Sequence, residues 1–181
     1  MKTQNQTMLS ENTLTSRPTD IIAGFPVRPG FFELNGATPL SNGVNFTTHT
    51  RHGTSCELLL FHSGEEEPFA ILPFPNACRI GDVYSMIVMG LDIEDLEYGY
   101  RIDGPYEPEK GHIFDKTKVL LDPYAKAVAG QREWGQQKIG SYHARVVRDS
   151  FDWEDMPQST RKISDLIIYE LHVRGFTQDA S

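Results

Sequence analysis

The chain has 181 residues, of which 39% are hydrophobic and 10% aromatic, a globular composition with enough apolar side chains to build a core. The formal net charge of −8 and the spread of acids along the chain argue against a phosphate-binding surface, so nucleic acid is not an expected partner. Cys56 and Cys78 lack the spacing of a zinc site or a disulfide framework. The histidines never fall into a metal-binding pattern, and no metal or cofactor is expected.

Residues 1–20 are polar and rich in Thr, Asn, Gln and Ser, which is typical of a flexible leader. This segment lacks the apolar centre of a signal peptide, and nowhere in the chain is there a run of about eighteen apolar residues. The sequence therefore predicts a cytoplasmic protein without a membrane partner.

Residues 21–130 show apolar side chains with a period of two, interrupted by Gly, Pro and Asn turns, which indicates β-strands. Asp122 followed by Pro123 adds at most one short helical turn. The expected fold class is all-β, an immunoglobulin-like β-sandwich. The predicted strands cover residues 44–49, 56–62, 69–72, 83–89, 98–102 and 118–121.

Residues 131–162 have no regular period, and we interpret them as a connector. Residues 163–181 begin with the strongly apolar run 165–172, whose composition suits a strand inside a parallel sheet with both faces buried. No further strands follow with which it could pair. This mismatch predicts an orphan strand, disordered, sticky or paired with another chain, and a chain that is a fragment of a larger protein.

The acidic residues of the chain are numerous, but they offer no clear pair for catalysis. Cleavage of a glycosidic bond requires two carboxyl groups placed on either side of the sugar. All the acidic clusters lie in hydrophilic, turn-like stretches where a solvated surface is the default interpretation. No catalytic residue is therefore predicted among Glu65, Glu66, Glu67, Asp92, Glu94, Asp95, Asp152, Glu154 and Asp155.

His172 and two aromatic residues are the remaining candidates for a site. His172 follows the apolar run, where barrel enzymes place their sites, although a packed, hydrogen-bonded histidine is the favoured alternative. Trp134 and Tyr106 lie in Gly- and Pro-rich contexts that indicate exposed rings, on which sugars stack through their C–H faces. Simple packing of these two rings is the alternative to sugar contact.

Two long stretches resemble the glycogen-debranching and isoamylase group of the α-amylase superfamily. Residues 98–129, YGYRIDGPYEPEKGHIFDKTKVLLDPYAKAVA, are similar to the end of its N-terminal β-sandwich. Residues 168–177, IYELHVRGFT, are similar to the first strand and loop of its catalytic (β/α)₈ barrel. The opening FPVRPG at residues 25–30 also fits, whereas IFDK at residues 113–116 departs from the usual pattern.

The resemblance implies a parent enzyme that hydrolyses α-1,6 branches of glycogen or starch with retention. It would use an Asp nucleophile, a Glu acid/base and a second Asp, all on later barrel strands, so residues 163–181 would be the truncated start of the barrel. The 181-residue chain alone would be inactive. Its expected partners are a branched α-glucan and its own missing catalytic domain.

Several alternatives stay open at the level of sequence. Debranching enzyme, isoamylase and pullulanase all fit, with the bacterial debranching enzyme favoured because the leader lacks a transit or secretory signal. The β-sandwich could contact polymer or only brace the barrel. A stand-alone glycogen-binding or regulatory module and a purely structural β-domain are the remaining hypotheses.

Overall fold

The computed structural model describes residues 17–130, 142–148, 152 and 160–176, which divide into two units, 1–148 and 149–181. The regular elements of the first unit are mainly antiparallel strands. The strands are β1 (Asp20–Ile22), β2 (Phe25–Pro29), β3 (Gly36–Pro39), β4 (Gly43–His49), β5 (Ser55–Phe61), β6 (Ala70–Pro73), β7 (Arg79–Ile80), β8 (Val83–Met89), β9 (Glu97–Asp103), β10 (Tyr106–Glu107), β11 (His112–Ile113), β12 (Ala127–Ala129) and β13 (His143–Arg145).

The strands form two main sheets and one separate ribbon. The first sheet has the order β1-β2-β8-β4-β3, with β7 paired to β8, and the second has the order β12-β13-β9-β5-β6. β10 and β11 form the two-stranded ribbon. The edge strands β3 and β6 both end at a proline, Pro39 and Pro73.

The core lies between the inner faces of the two sheets, as the alternation of apolar side chains predicts. Phe46 of the first sheet meets Tyr98 of the second edge to face, with ring centroids 5.1 Å apart. Burying these side chains removes apolar surface from water, the dominant favourable term in folding. The inner-face residues are Val44, Phe46, Met86 and Val88 of the first sheet, and Cys56, Leu58, Leu60, Tyr98, Tyr100 and Ile102 of the second. The predicted all-β sandwich is confirmed.

The outer face of the first sheet carries a closed polar network. Asn45 accepts a hydrogen bond from the Phe31 backbone N–H at 2.8 Å and donates to Thr47 Oγ1 at 2.9 Å, and its amide also reaches the Leu34 carbonyl. Thr47 is bonded in turn to Ser85 at 2.6 Å. All three side chains are buried, and the network anchors the loop after β2 to the sheet.

Five of the six predicted strands are present, with ends shifted by two residues or fewer. The sixth, residues 118–121, makes only an isolated bridge from Leu120 to Tyr100, next to the two β9 residues, Glu97 and Tyr98, that pair with β13. Asp122 starts a turn rather than a helix: its carboxylate accepts the Tyr124 N–H at 2.8 Å. β13 lies inside the segment expected to be a connector, and it extends the second sheet.

In the second unit, the strand predicted at residues 165–172 is not formed. Ile163–Asp165 is a 3₁₀ turn, residues 166–172 have no strand pairing, and α1 (Val173–Phe176) follows. Apolar composition alone does not make a strand, because a strand needs partners for its N–H and C=O groups. Ile167 is fully exposed and Ile168 and Tyr169 nearly so. None of the described helices has the length and apolar character needed to span a bilayer.

Candidate functional site

Tyr106, a predicted sugar-contact residue, stands on the ribbon formed by β10 and β11. Its Cα partner across the ribbon is Ile113, so the two side chains project from the same face. Tyr106 is 72% exposed and Ile113 is 70% exposed. The pair therefore presents a ring and an aliphatic side chain to solvent, a small apolar platform of the kind on which the C–H face of a sugar stacks.

The ribbon is held to the sandwich at its base. An isolated two-stranded hairpin is only marginally stable in water, so the ribbon depends on these contacts. Phe114 packs against the core, and its ring also covers Gly104. A Cβ at Gly104 would lie 2.6 Å from Phe114 Cγ, so only glycine permits this approach. His112 of the ribbon packs edge to face on His52, with ring centroids 4.6 Å apart.

Trp134, the second predicted sugar-contact residue, lies outside the described residues. Sugar contact by Tyr106 and Trp134 stays a prediction. The exposure of Tyr106 agrees with its Gly-Pro context, which sets the start of the ribbon just after β9 ends at Asp103.

A second exposed ring pair, which the sequence patterns did not single out, lies on the β5–β6 hairpin. The His62 ring stacks on Phe69 at 4.4 Å, and His62 Nδ1 lies 2.7 Å from Asp95 Oδ2. Asp95 also accepts the Ser63 N–H, and these two hydrogen bonds, the backbone one first, lower the pKa of its carboxyl group. The sequence pattern places Phe69 at the start of a predicted strand, and only the structure shows its ring on the surface.

The acidic residues considered as catalytic candidates occupy structural or solvated positions. Asp92 accepts the Glu94 N–H in a short 3₁₀ turn, and Glu65, Glu66 and Glu67 are exposed in a turn. Asp152 is exposed, and Glu154 and Asp155 lie outside the described residues. His172 is exposed and accepts the Gly175 N–H at 2.9 Å. Within the described ranges, no cluster of three or more His, Cys, Asp or Glu could hold a metal ion.

A buried hydrogen-bonded pair of side chains stabilises the outer face of the second sheet. His143 Nδ1 lies 3.1 Å from Glu97 Oε2, both side chains are 5% exposed, and Phe61 stacks on the imidazole at 3.8 Å. The other oxygen of Glu97 accepts the Gly64 N–H at 3.0 Å. Because both oxygens of this carboxylate have partners in the fold, we assign it a structural role.

Asp122 is a buried acid of a different kind. Tyr98 Oη donates to it at 2.7 Å, and burial raises the pKa of the carboxyl group despite the hydrogen bonds from Tyr124 and Tyr98. Burial likewise raises the pKa of both thiols, that of Cys78 to about 11, and both cysteines are free and buried. These groups hold the loop after β11 and fill the core.

The chain is similar in sequence to isoamylases and glycogen debranching enzymes. The chain is 34% identical to isoamylase SU1, chloroplastic, of Zea mays over 89% of its length, and 35% identical to the glycogen debranching enzyme of Salmonella typhi over 79%. It spans only 21% and 23% of the length of those two relatives.

Solved structures to which the chain is similar include pullulanases. The pullulanase type I of Bacillus subtilis in complex with maltose matches 71% of this chain and 15% of its own, with a TM-score of 0.47 and 19% identity. The apo pullulanase of Klebsiella pneumoniae matches 64% of this chain and 11% of its own, with a TM-score of 0.47 and 20% identity.

The family assignment rests on a match to residues 35–125, which contain most of the sandwich. Residues 35–125, from the start of the third strand to the turn after Asp122, match the family described as Carbohydrate-binding module 48 (Isoamylase N-terminal domain). The matched region contains the whole ribbon with Tyr106. The chain belongs to the carbohydrate-binding module 48 family, the isoamylase N-terminal domain.

Proposed function

We propose that this chain is the N-terminal part of a hydrolase that removes α-1,6 branches from glycogen or starch, and that its sandwich contacts the polymer through Tyr106. The family assignment and the named relatives support the enzyme class. The single observation that carries the contact is the exposed platform of Tyr106 and Ile113 on a braced ribbon. An aromatic ring held rigid loses little entropy when a sugar stacks on it.

Affinity electrophoresis in gels containing glycogen tests the polymer contact. We expect the 181-residue chain to be retarded, and the Tyr106→Ala variant to migrate as in a gel without glycogen, because the stacking ring is lost. Tyr169→Ala is the matched control, since Tyr169 is equally exposed but lies in the other unit. Absence of retardation for the unmodified chain would leave only a bracing role for the sandwich.

We propose further that catalysis belongs to residues of the parent enzyme that this chain does not contain. A retaining mechanism needs a nucleophile and an acid/base about 5 Å apart, and the described carboxylates are engaged in turns and ion pairs or lie solvated at the surface. The chain alone should release no reducing ends from amylopectin or pullulan. Release above a buffer blank would refute this part of the proposal.

The cytoplasm is the location we propose for the protein. Its two cysteines are free and buried, which suits a reducing compartment in which disulfides are rare. Cell fractionation with an antibody against the chain tests the location, and recovery in an organelle or the medium would contradict it.

A further inference from the structure

The outer face of the second sheet bears a polar pocket with a volume of about 550 Å³. In the β5–β9 pair, Ser55 is the partner of Asp103 and Glu57 is the partner of Arg101, so these four side chains share one face. The intervening residues, such as Cys56 and Ile102, point into the core. The polar pocket is lined by Ser55, Glu57, Arg101, Asp103, Lys116 and Thr117.

The charges around the polar pocket cancel. Glu57 and Asp103 are acids, Arg101 and Lys116 are bases, and Lys116 Nζ lies 4.0 Å from Asp103 Oδ2. A lining with no net charge gives no long-range attraction to an anion or a cation. It does place donors and acceptors side by side, which is what a neutral molecule with many hydroxyl groups can use.

Arg101 is the unusual member of this lining. Its Nε is buried and has no hydrogen-bond partner, and no ion pair joins Arg101 to any residue that the structure describes. A buried donor without a partner costs free energy, so such groups are rare in folded proteins and require an explanation. Nε itself is closed to solvent, so the donors that Arg101 can offer to a ligand are the terminal nitrogens of its guanidinium group, which lines the pocket.

The polar pocket also lies at the base of the ribbon. Asp103 precedes Tyr106 by three residues, and Thr117 follows Ile113 by four, so both ends of the ribbon segment meet the pocket lining. Three residues of extended chain span at most about 10 Å. One oligosaccharide chain could therefore touch the Tyr106 platform and reach the pocket.

We propose that the polar pocket is a second sugar-binding subsite, which takes a neutral glucosyl unit of the polymer whose contact with Tyr106 is proposed above. Hydroxyl oxygens of the sugar accept hydrogen bonds from Arg101 and Lys116, and sugar O–H groups donate to Glu57 and Asp103.

Calorimetric titration of the 181-residue chain with maltoheptaose tests the subsite. Arg101→Met keeps the length of the side chain but removes its donors, and we expect it to raise the Kd about tenfold, a change of about 1.4 kcal/mol. Arg51→Met is the matched control: Arg51 is exposed and outside the pocket lining, so its removal should leave the Kd unchanged. Circular dichroism verifies that each variant is folded.

The outcomes separate this proposal from the proposed function. If Tyr106→Ala abolishes binding while Arg101→Met has the Kd of the unmodified chain, the polymer contact stands and the second subsite is refuted. If Arg101→Met and Arg51→Met weaken binding equally, the subsite is also refuted. Failure of the unmodified chain to bind maltoheptaose would overturn both proposals.

Discussion

On the outer face of the first sheet, Asn45, Thr47 and Ser85 form a closed hydrogen-bond network, whereas on the outer face of the second sheet Arg101 is partly buried and without a partner among the described residues. Both faces carry polar groups out of water, where each unpaired group is costly. The first face satisfies them within the fold, and the second leaves one available. Polar side chains that are hydrogen-bonded within the fold, such as Asn45, contribute to stability, whereas one without such a partner, such as Arg101, is a candidate for contact with a ligand.

Within the second sheet the same contrast recurs along β9. Glu97, at the start of the strand, is buried against His143 and the Gly64 N–H, whereas Arg101, four residues later on the same face, has no such partners. The satisfied half of this face should therefore respond to mutation by losing stability. The unsatisfied half should respond by losing binding.

Asn45→Ala should give the largest effect on stability. It removes an acceptor for the Phe31 N–H and donors to Leu34 and Thr47, and we expect a loss of about 3 kcal/mol in the free energy of unfolding. Urea denaturation measures this value. Asn35→Ala is the control, because Asn35 is exposed, and equal losses in the two variants would contradict a structural role for the network.

Glu97→Ala should destabilise the protein by about 2 kcal/mol, because it removes the carboxylate that is hydrogen-bonded to the buried His143 and that accepts the Gly64 N–H. The loss is smaller than that for Asn45, because Glu97 makes two such hydrogen bonds and Asn45 makes at least three. Urea denaturation measures this value too. Glu94→Ala is the control, because the Glu94 side chain is exposed. A fully stable Glu97→Ala protein would show that this half of the face is not held by the hydrogen-bonded pair.

Asp122→Asn should change the pH dependence of stability by less than about 1 kcal/mol. Burial raises the pKa of Asp122 in the folded state, so the protonated form is favoured by folding. Its contribution is present at low pH and is lost as the pH rises through the raised value. As the pH rises above about 4, the ordinary pKa of an aspartate, stability should fall for the unmodified protein relative to the variant; an opposite slope would contradict the raised pKa.

Arg101→Met should have the smallest effect on stability, and of opposite sign. Replacing a partly buried, unpaired guanidinium with an apolar side chain should stabilise the protein by about 0.5 kcal/mol while weakening sugar binding. Thermal unfolding without ligand measures the gain. A loss of 2 kcal/mol or more would place Arg101 with Asn45 among the residues that build the fold and would erase the contrast between the two faces.

The long strands could be predicted from sequence because each combines a period of two with a flanking turn, as in the run 83–89. The short strands could not. β2 contains Pro26 and Pro29 and β3 ends at Pro39, and such residues indicate turns when only the local sequence is read. Their pairing with longer strands decides the outcome, and β13 similarly forms on the edge of β9.

The candidate site was predictable only in part. The Gly-Pro context of Tyr106 indicated an exposed ring, and that exposure is observed. The surroundings of Arg101 cannot be predicted from the sequence. The register of β5 and β9 decides that Glu57 lies opposite it, and only the structure shows that its Nε has no hydrogen-bond partner. The exposed ring of Phe69 depends in the same way on the hairpin that brings His62 beside it.

The prolines at the ends of the edge strands β3 and β6 bear on how the protein behaves in a concentrated solution. An open sheet edge offers unpaired N–H and C=O groups to other chains, and proline interrupts this row because it has no N–H. Pro39 and Pro73 each shorten the exposed edge of one sheet. Growth of fibrils by strand addition is thereby hindered at both of these edges, which should help the protein to remain dispersed at high concentration.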